Sequence, residues 1–289
     1  MTSREQWIAG ARPKTLPAAI APVIVGTAFA GYNAQLTNFL LALIVGVALQ
    51  VGVNYANDYS DGIKGTDKDR IGPMRLVGSG AASPESVKRA AYLSFLLAAG
   101  AGLILSARTN WLLILIGALA IIAAWTYTGG RKPYGYFALG EVAVFIFFGL
   151  VATIGAYYVQ VNSISLEVFL AAIAMGSLAS ALLVVNNLRD LAKDAAAGKF
   201  TLAVRLGDKQ SQNLYKALLL IPLLIAILLL PASPYFLLAA AAAPLIRSSI
   251  KAVSSGASGG ALIELLAKTG RIQMIYGLAL SLASLIAAR

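Results

Sequence analysis

No cysteine and no histidine occur anywhere in this chain. Without cysteine there is no disulfide, no thiolate nucleophile and no Cys-ligated metal. Without histidine there is no imidazole base, and no His-ligated zinc or haem. Chemistry must therefore run on carboxylates, tyrosine, lysine, arginine and a metal held by oxygen. Charge is also scarce: 12% of residues are charged, against 59% hydrophobic. What charge there is leans one way, to a net +11.

The mean hydropathy of +0.78 and repeated apolar runs of about twenty residues place the chain among all-α polytopic membrane proteins. Nine spans are expected, near 15–32, 37–57, 86–107, 110–128, 138–158, 166–187, 210–231, 234–252 and 270–287, in one bundle around a central cavity. Arg108-Thr-Asn110 makes the third and fourth a tight hairpin, and Pro231-Ala-Ser-Pro234 joins the seventh to the eighth. The basic, then apolar N-terminus with Ala28-Phe-Ala30 has the look of a secretory signal, but cleavage would remove one span of a chain already committed to the membrane.

With the N-terminus in the cytoplasm, every one of the 23 basic residues except Arg108 and Arg289 falls on the inside. That asymmetry sets a multi-pass plasma-membrane orientation. It also accounts for the pI near 9.9 without nucleic acid, because the positive charge is spread over short loops. The chain reads as a single domain, 1–289, of two loosely repeated halves with motif sites near 54–69 and 186–205.

Those two sites hold most of the functional signal. One is Asn54-Tyr-Ala-Asn57-Asp58-Tyr-Ser-Asp61; the other is Asn186-Asn187-Leu-Arg189-Asp190-Leu-Ala-Lys193-Asp194. Each closes a long apolar run, where a carboxylate is costly and usually marks a working site. On a helix, Asn54, Asp58 and Asp61 share one face, and Asn186, Asp190 and Asp194 another. Acids gathered without a counter-ion repel and take up protons. A hard divalent cation with oxygen ligands relieves that, and Mg²⁺ suits best when shared with phosphate. Asp67 and Asp69 lie nearby. Two Mg²⁺ ions, or Mn²⁺ in their place, would bracket a diphosphate, with loop Lys and Arg neutralising the remainder. A polyprenyl diphosphate matches, with its head at the polar rim and its tail among apolar helices. Departure of metal-bound diphosphate leaves an allylic cation, which needs only an electron-rich ring and no strong base from the protein. Segments 59–85 and 188–209 are expected to cover the site as lid loops, and both motifs to face one cavity despite 132 intervening positions. An ion-coupled transporter is the rival reading; acids confined to one end and very short outer loops speak against it.

The motifs resemble the UbiA superfamily of intramembrane aromatic prenyltransferases. The second site fits the Asn-x-x-x-Asp-x-x-x-Asp pattern in full. The first departs from it, with Asp61, Gly65 and Asp67 following Asp58. That departure, with Tyr127-Thr-Gly-Gly130, Lys132-Pro-Tyr-Gly-Tyr136, Leu139-Gly-Glu141 and Gly198-Lys-Phe-Thr-Leu-Ala-Val-Arg-Leu-Gly207, resembles the menaquinone branch, and Gly10-Ala-Arg-Pro-Lys-Thr-Leu-Pro17 its actinobacterial members. The resemblance runs from about Ala11 to Gly207. It implies transfer of a polyprenyl group to 1,4-dihydroxy-2-naphthoate with loss of carboxylate and diphosphate, giving demethylmenaquinone; 4-hydroxybenzoate is the alternative acceptor. The expected metal ligands are Asn54, Asp58, Asp61, Asp67, Asn186, Asp190 and Asp194, of which Asp58, Asp61, Asp190 and Asp194 carry catalysis. Lys64, Arg70, Arg131, Lys132, Arg189 and Lys199 are expected on the diphosphate. Asn57, Tyr127 and Tyr134 are expected at the acceptor or the cation. Glu141, at the start of the fifth span, reads as a base or as an interfacial acid, the latter being the favoured reading.

Overall fold

The structure, a computed structural model, describes residues 2–65 and 74–288. Asp67 and Arg70, expected in the site, lie outside the described residues. Every regular element among the described residues is helical. A short helix, α1 (Arg4–Ala11), opens the chain with a capping box in which Ser3 and Gln6 satisfy each other's backbone amides. Two shorter apolar helices are α2 (Pro17–Phe29) and α5 (Leu112–Thr126). Among the described residues seven helices are long and apolar enough to cross a membrane: α3 (Leu36–Ile63), α4 (Pro84–Arg108), α6 (Gly140–Val161), α7 (Leu166–Ala196), α8 (Leu202–Leu228), α9 (Pro234–Ser254) and α10 (Gly260–Ala287).

Local chemistry sets the ends. Ser83, Ser165 and Thr201 cap α4, α7 and α8 by accepting the amides of Ser86, Val168 and Val204. Asn162 in the left-handed region ends α6. Phe145–Val151 is a π-helical turn inside α6. Tight crossings rest on glycine: a Cβ on Gly26 of α2 would strike the Thr153 carbonyl of α6.

α7 is the centre of the bundle. Its apolar window is 78% buried, against 22–50% in the other six long helices. Its small residues (Ala171, Ala174, Gly176, Ser177, Ala181) let α2, α6, α8 and α10 approach closely. α3 packs mainly on α4 and α7 on α8, so each motif helix leans on the helix that follows it. The motif helices outrun their apolar stretches. α3 continues to Ile63 and α7 to Ala196, and α8 already begins at Leu202. The expected loop 188–209 is thus helical at its start, with residues 197–201 between the two helices and a second break at Gly207, whose φ 75 and ψ 174 kink α8; Asn/Asp faces that point inward do not interrupt the helical hydrogen bonding of α7. Likewise α10 starts at Gly260, ten residues before the expected last span.

Candidate active site

One cavity of about 380 Å³ runs through the bundle. Along α3 it is lined by residues from Ala42 to Asp61 at helical spacing. Those nineteen steps correspond to ~28 Å, close to the thickness of a bilayer's hydrocarbon core. At the motif end its wall holds Asn54, Asn57 and Asp61 from α3, and Asn186, Asn187, Asp190, Lys193 and Asp194 from α7. The two motifs therefore face one cavity, as their shared pattern implied. Toward the other end the wall is apolar, with Phe147, Phe148 and Val151 from the π-turn and Gly117 and Ala120 from α5. There it stops above a polar plug. Asn38 donates to the Val159 carbonyl at 2.6 Å and accepts from Arg108 Nε at 2.8 Å, and Gln35 bonds Gln160 at 2.8 Å.

The acids are held by cations. Lys199 Nζ stands 3.0 Å from Asp61 Oδ2, and Arg75 stands 4.0 Å from the same oxygen. Tyr136 donates to Asp61 Oδ1 at 2.7 Å. The Tyr136 ring also faces Lys64 at 4.8 Å and Lys199 at 5.1 Å, so its π-face helps bring two like charges together. Arg189 clasps both oxygens of Asp190 at 2.8 and 2.6 Å, and Asn186 Oδ1 at 2.9 Å. Lys64 donates to the Thr128 carbonyl at 2.7 Å. Burial holds its ammonium below the ordinary lysine value; the positive charge of Lys199 adds to this and Asp61 opposes it. Burial likewise pushes the Tyr134 hydroxyl up to about 12.

Asp58 has a different place. It is fully buried, does not line the cavity, and its two oxygens accept the amides of Leu76 and Val77 at 2.7 and 3.0 Å. It pins the turn that carries Arg75 into the site. Asn54 is also committed, donating to the Ala11 carbonyl at 2.9 Å and Thr15 at 3.1 Å while accepting from Gln50 at 3.2 Å. Asn57 accepts from Thr128 at 2.7 Å. Tyr127 and Tyr134 both line the cavity, ring edge to ring face at 5.5 Å. Arg131 and Lys132 are exposed and do not line it.

Arg12, Thr15 and Arg75 line the cavity without having been expected there. Arg12 reaches it because its backbone adopts φ 53, between α1 and the short turn Pro13–Thr15. Nothing in the sequence announces a left-handed arginine, although Arg12-Pro-Lys-Thr was already part of the resemblance. Tyr136 belonged to a recognised motif, and the structure sets it on Asp61.

The donor types suit a hard divalent cation, with carboxylate and amide oxygens on one cavity wall and neither sulfur nor imidazole, although among the described residues no three acids cluster closely enough to hold an ion by themselves. Lys199 and Arg189 occupy carboxylates that a metal–phosphate unit would otherwise neutralise. A model of the UbiA prenyltransferase family matches residues 19–253.

The chain belongs to the UbiA prenyltransferase family. It is 49% identical to a 1,4-dihydroxy-2-naphthoate octaprenyltransferase of Mycobacterium tuberculosis over 97% of both chains. It is 43% identical to the protein of that name from Escherichia coli, over 75% of this chain and 74% of that one. Among solved structures, a UbiA homolog from Aeropyrum pernix K1 shares the fold at TM-score 0.73 and 18% identity, covering 93% of this chain and 97% of that one. A UbiA homolog from Archaeoglobus fulgidus bound to DMAPP and Mg²⁺ shares it at TM-score 0.67 and 15% identity, covering 95% and 98%. As a UbiA family member with seven membrane-length apolar helices, the chain is an integral membrane protein.

Proposed function

We propose that this UbiA prenyltransferase joins a polyprenyl group to 1,4-dihydroxy-2-naphthoate in menaquinone biosynthesis. The observation that carries the reading is one cavity with a polar, acid- and cation-lined rim and a membrane-deep apolar body. Its proportions suit a diphosphate head and an isoprenoid tail. The acceptor follows from likeness to the mycobacterial and E. coli relatives. All nine apolar helices cross the bilayer as one domain, with the N-terminus and the motif rim on the cytoplasmic side, as the placement of basic residues requires.

Asp61, Asp190 and Asp194, with Asn186 and Asp67, would hold Mg²⁺, two ions in this reading; bound there, the metal supplies charge for the departing diphosphate. Lys199 and Arg189 exchange their carboxylate partners for phosphate oxygens when the donor enters, and Lys64 and Arg75 add positive charge beside them. The allylic C–O bond breaks and its electron pair leaves with diphosphate. The aromatic faces of Tyr127 and Tyr134 stabilise the cation. The electron-rich ring carbon that bears the carboxylate forms the new C–C bond, and that carboxylate leaves as carbon dioxide, its electron pair returning to the ring to restore aromaticity. Asp58 contributes by holding the turn that presents Arg75.

The tail lies along the α3 stripe toward Ala42. The polar plug at Asn38 closes that end, so a chain longer than the ~28 Å tube leaves sideways into lipid. Purified protein incubated with Mg²⁺, a polyprenyl diphosphate and a panel of aromatic acids tests the reading. Prenylated, decarboxylated naphthoate should be the dominant product; a preference for 4-hydroxybenzoate would reassign the acceptor.

A further inference from the structure

Glu141 has no part in the chemistry above, and it is not the interfacial acid its position suggested. It is 6% exposed, at the second position of α6. Its Oε1 accepts from Asn187 Nδ2 at 2.9 Å, while its Oε2 is buried without a partner. Ser180 of α7 donates to its backbone carbonyl at 3.0 Å and locks that first turn in place. A Cβ on neighbouring Gly140 would come within 3.3 Å of the Tyr127 hydroxyl, so the carboxylate stands directly behind the cavity wall. Asn187 is part of that wall; Glu141 is not.

The Glu141 oxygen that Asn187 reaches, Oε1, accepts its hydrogen bond. It therefore dictates which way the Asn187 amide turns: the NH₂ goes to Glu141, and Oδ1 is left for the cavity. A carbonyl oxygen there is wrong for the donor, because a diphosphate offers only oxygen acceptors. It is right for a hydroxyl group on the acceptor ring. The paired asparagines of the second motif thus divide the work. Asn186 turns to Arg189 and the Asp190 side of the site, and Asn187 turns to Glu141 and the ring.

We infer that Glu141 is a positioning residue that fixes the Asn187 amide, and that Asn187 Oδ1 accepts a hydroxyl hydrogen of the aromatic acceptor. This rests on the prenyltransferase reading. It makes Asn187 a determinant of selectivity for hydroxylated rings, since a buried acceptor left unpaired discriminates strongly against an analogue lacking the group.

The test uses the purified full-length chain with Mg²⁺, varying one substrate while the other is saturating. Glu141→Gln keeps the shape but lets the amide face either way, since glutamine both donates and accepts. The KM for 1,4-dihydroxy-2-naphthoate should rise about tenfold, with the KM for polyprenyl diphosphate within about twofold of wild type. The wild-type preference for the dihydroxy acid over 1-hydroxy- or 4-hydroxy-2-naphthoate should shrink for one of the two, naming the hydroxyl concerned. Asn187→Ser should show the same split, which keeps the test decisive if Glu141→Gln does not fold. The exchanged pair Glu141→Gln with Asn187→Asp again leaves an oxygen facing the cavity, and should recover acceptor KM. An unchanged acceptor KM in Glu141→Gln, or an equal rise for both substrates, overturns the inference while leaving the function standing. A wild-type protein that makes no product would remove both.

Discussion

Gly117 sits on the cavity wall, and a Cβ placed there would meet no heavy atom within 4 Å. A larger side chain at this position can enter the tube without displacing its neighbours. The depth can be worked out. Thr128 is level with Asn57, to which it donates at 2.7 Å. Gly117 lies eleven residues before Thr128, so it sits ~16 Å below the polar rim. A geranyl chain with an eight-carbon backbone, advancing ~1.2 Å per bond, reaches only ~10 Å. Chains of four or more isoprenoid units must pass the glycine. Gly117→Phe should therefore leave kcat/KM for geranyl diphosphate within about threefold and lower it at least about tenfold for octaprenyl diphosphate, a loss of ~1.4 kcal/mol or more. The assay is product formation by the purified variant with each donor at equal acceptor concentration. Equal loss for both donors, or none for the long one, would show that the tail does not follow the α3 stripe.

Asp61→Asn, Asp190→Asn and Asp194→Asn should each cost at least about a hundredfold in kcat with unchanged membrane insertion, because each faces the charge developing on the leaving group; near-normal turnover in two of them would remove the acid-bracketed diphosphate. Asp58→Asn should also lose activity, but with a lowered unfolding temperature in detergent, since two amide-to-carboxylate bonds worth about 3 kcal/mol together are weakened. An unaltered melting curve would place Asp58 among the metal ligands instead. Lys64 is charged only below its lowered pKa, so donor affinity should fall as pH rises toward, but not yet into, the ordinary lysine range. Lys64→Arg should carry that limb out of reach, arginine staying protonated; an identical pH profile for the variant would take Lys64 off the donor.

Much of this was legible beforehand, and particular residues show where legibility stopped. The apolar runs announced the long helices, because hydrocarbon-facing sequence must satisfy its own backbone. The two Asn/Asp clusters announced one shared cavity, because uncompensated acids beside apolar sequence are costly. Helix ends were misjudged at Ile63 and Ala196, where hydropathy falls but helical bonding continues; the expected start at 210 lies just past the kink at Gly207. The two exposed cations Arg131 and Lys132 could not be told from the buried Lys199 by type, only by packing. Arg12 needed a left-handed backbone, and Arg75 needed the turn held by Asp58, neither of which has a sequence signature. Glu141 lay at a predicted span end, where an interfacial place is the ordinary outcome; its burial follows from the Ser180 and Asn187 contacts that only the folded helix pair provides.

The most direct test of the central claim is a product assay on the purified chain with octaprenyl diphosphate and 1,4-dihydroxy-2-naphthoate, run with a chelator and then with Mg²⁺ restored. The account requires octaprenylated 1,4-naphthalenediol, with carbon dioxide and diphosphate released one to one, absent under chelation and regained with Mg²⁺ or Mn²⁺. Full activity in chelator, or diphosphate release without prenylated ring, would contradict it.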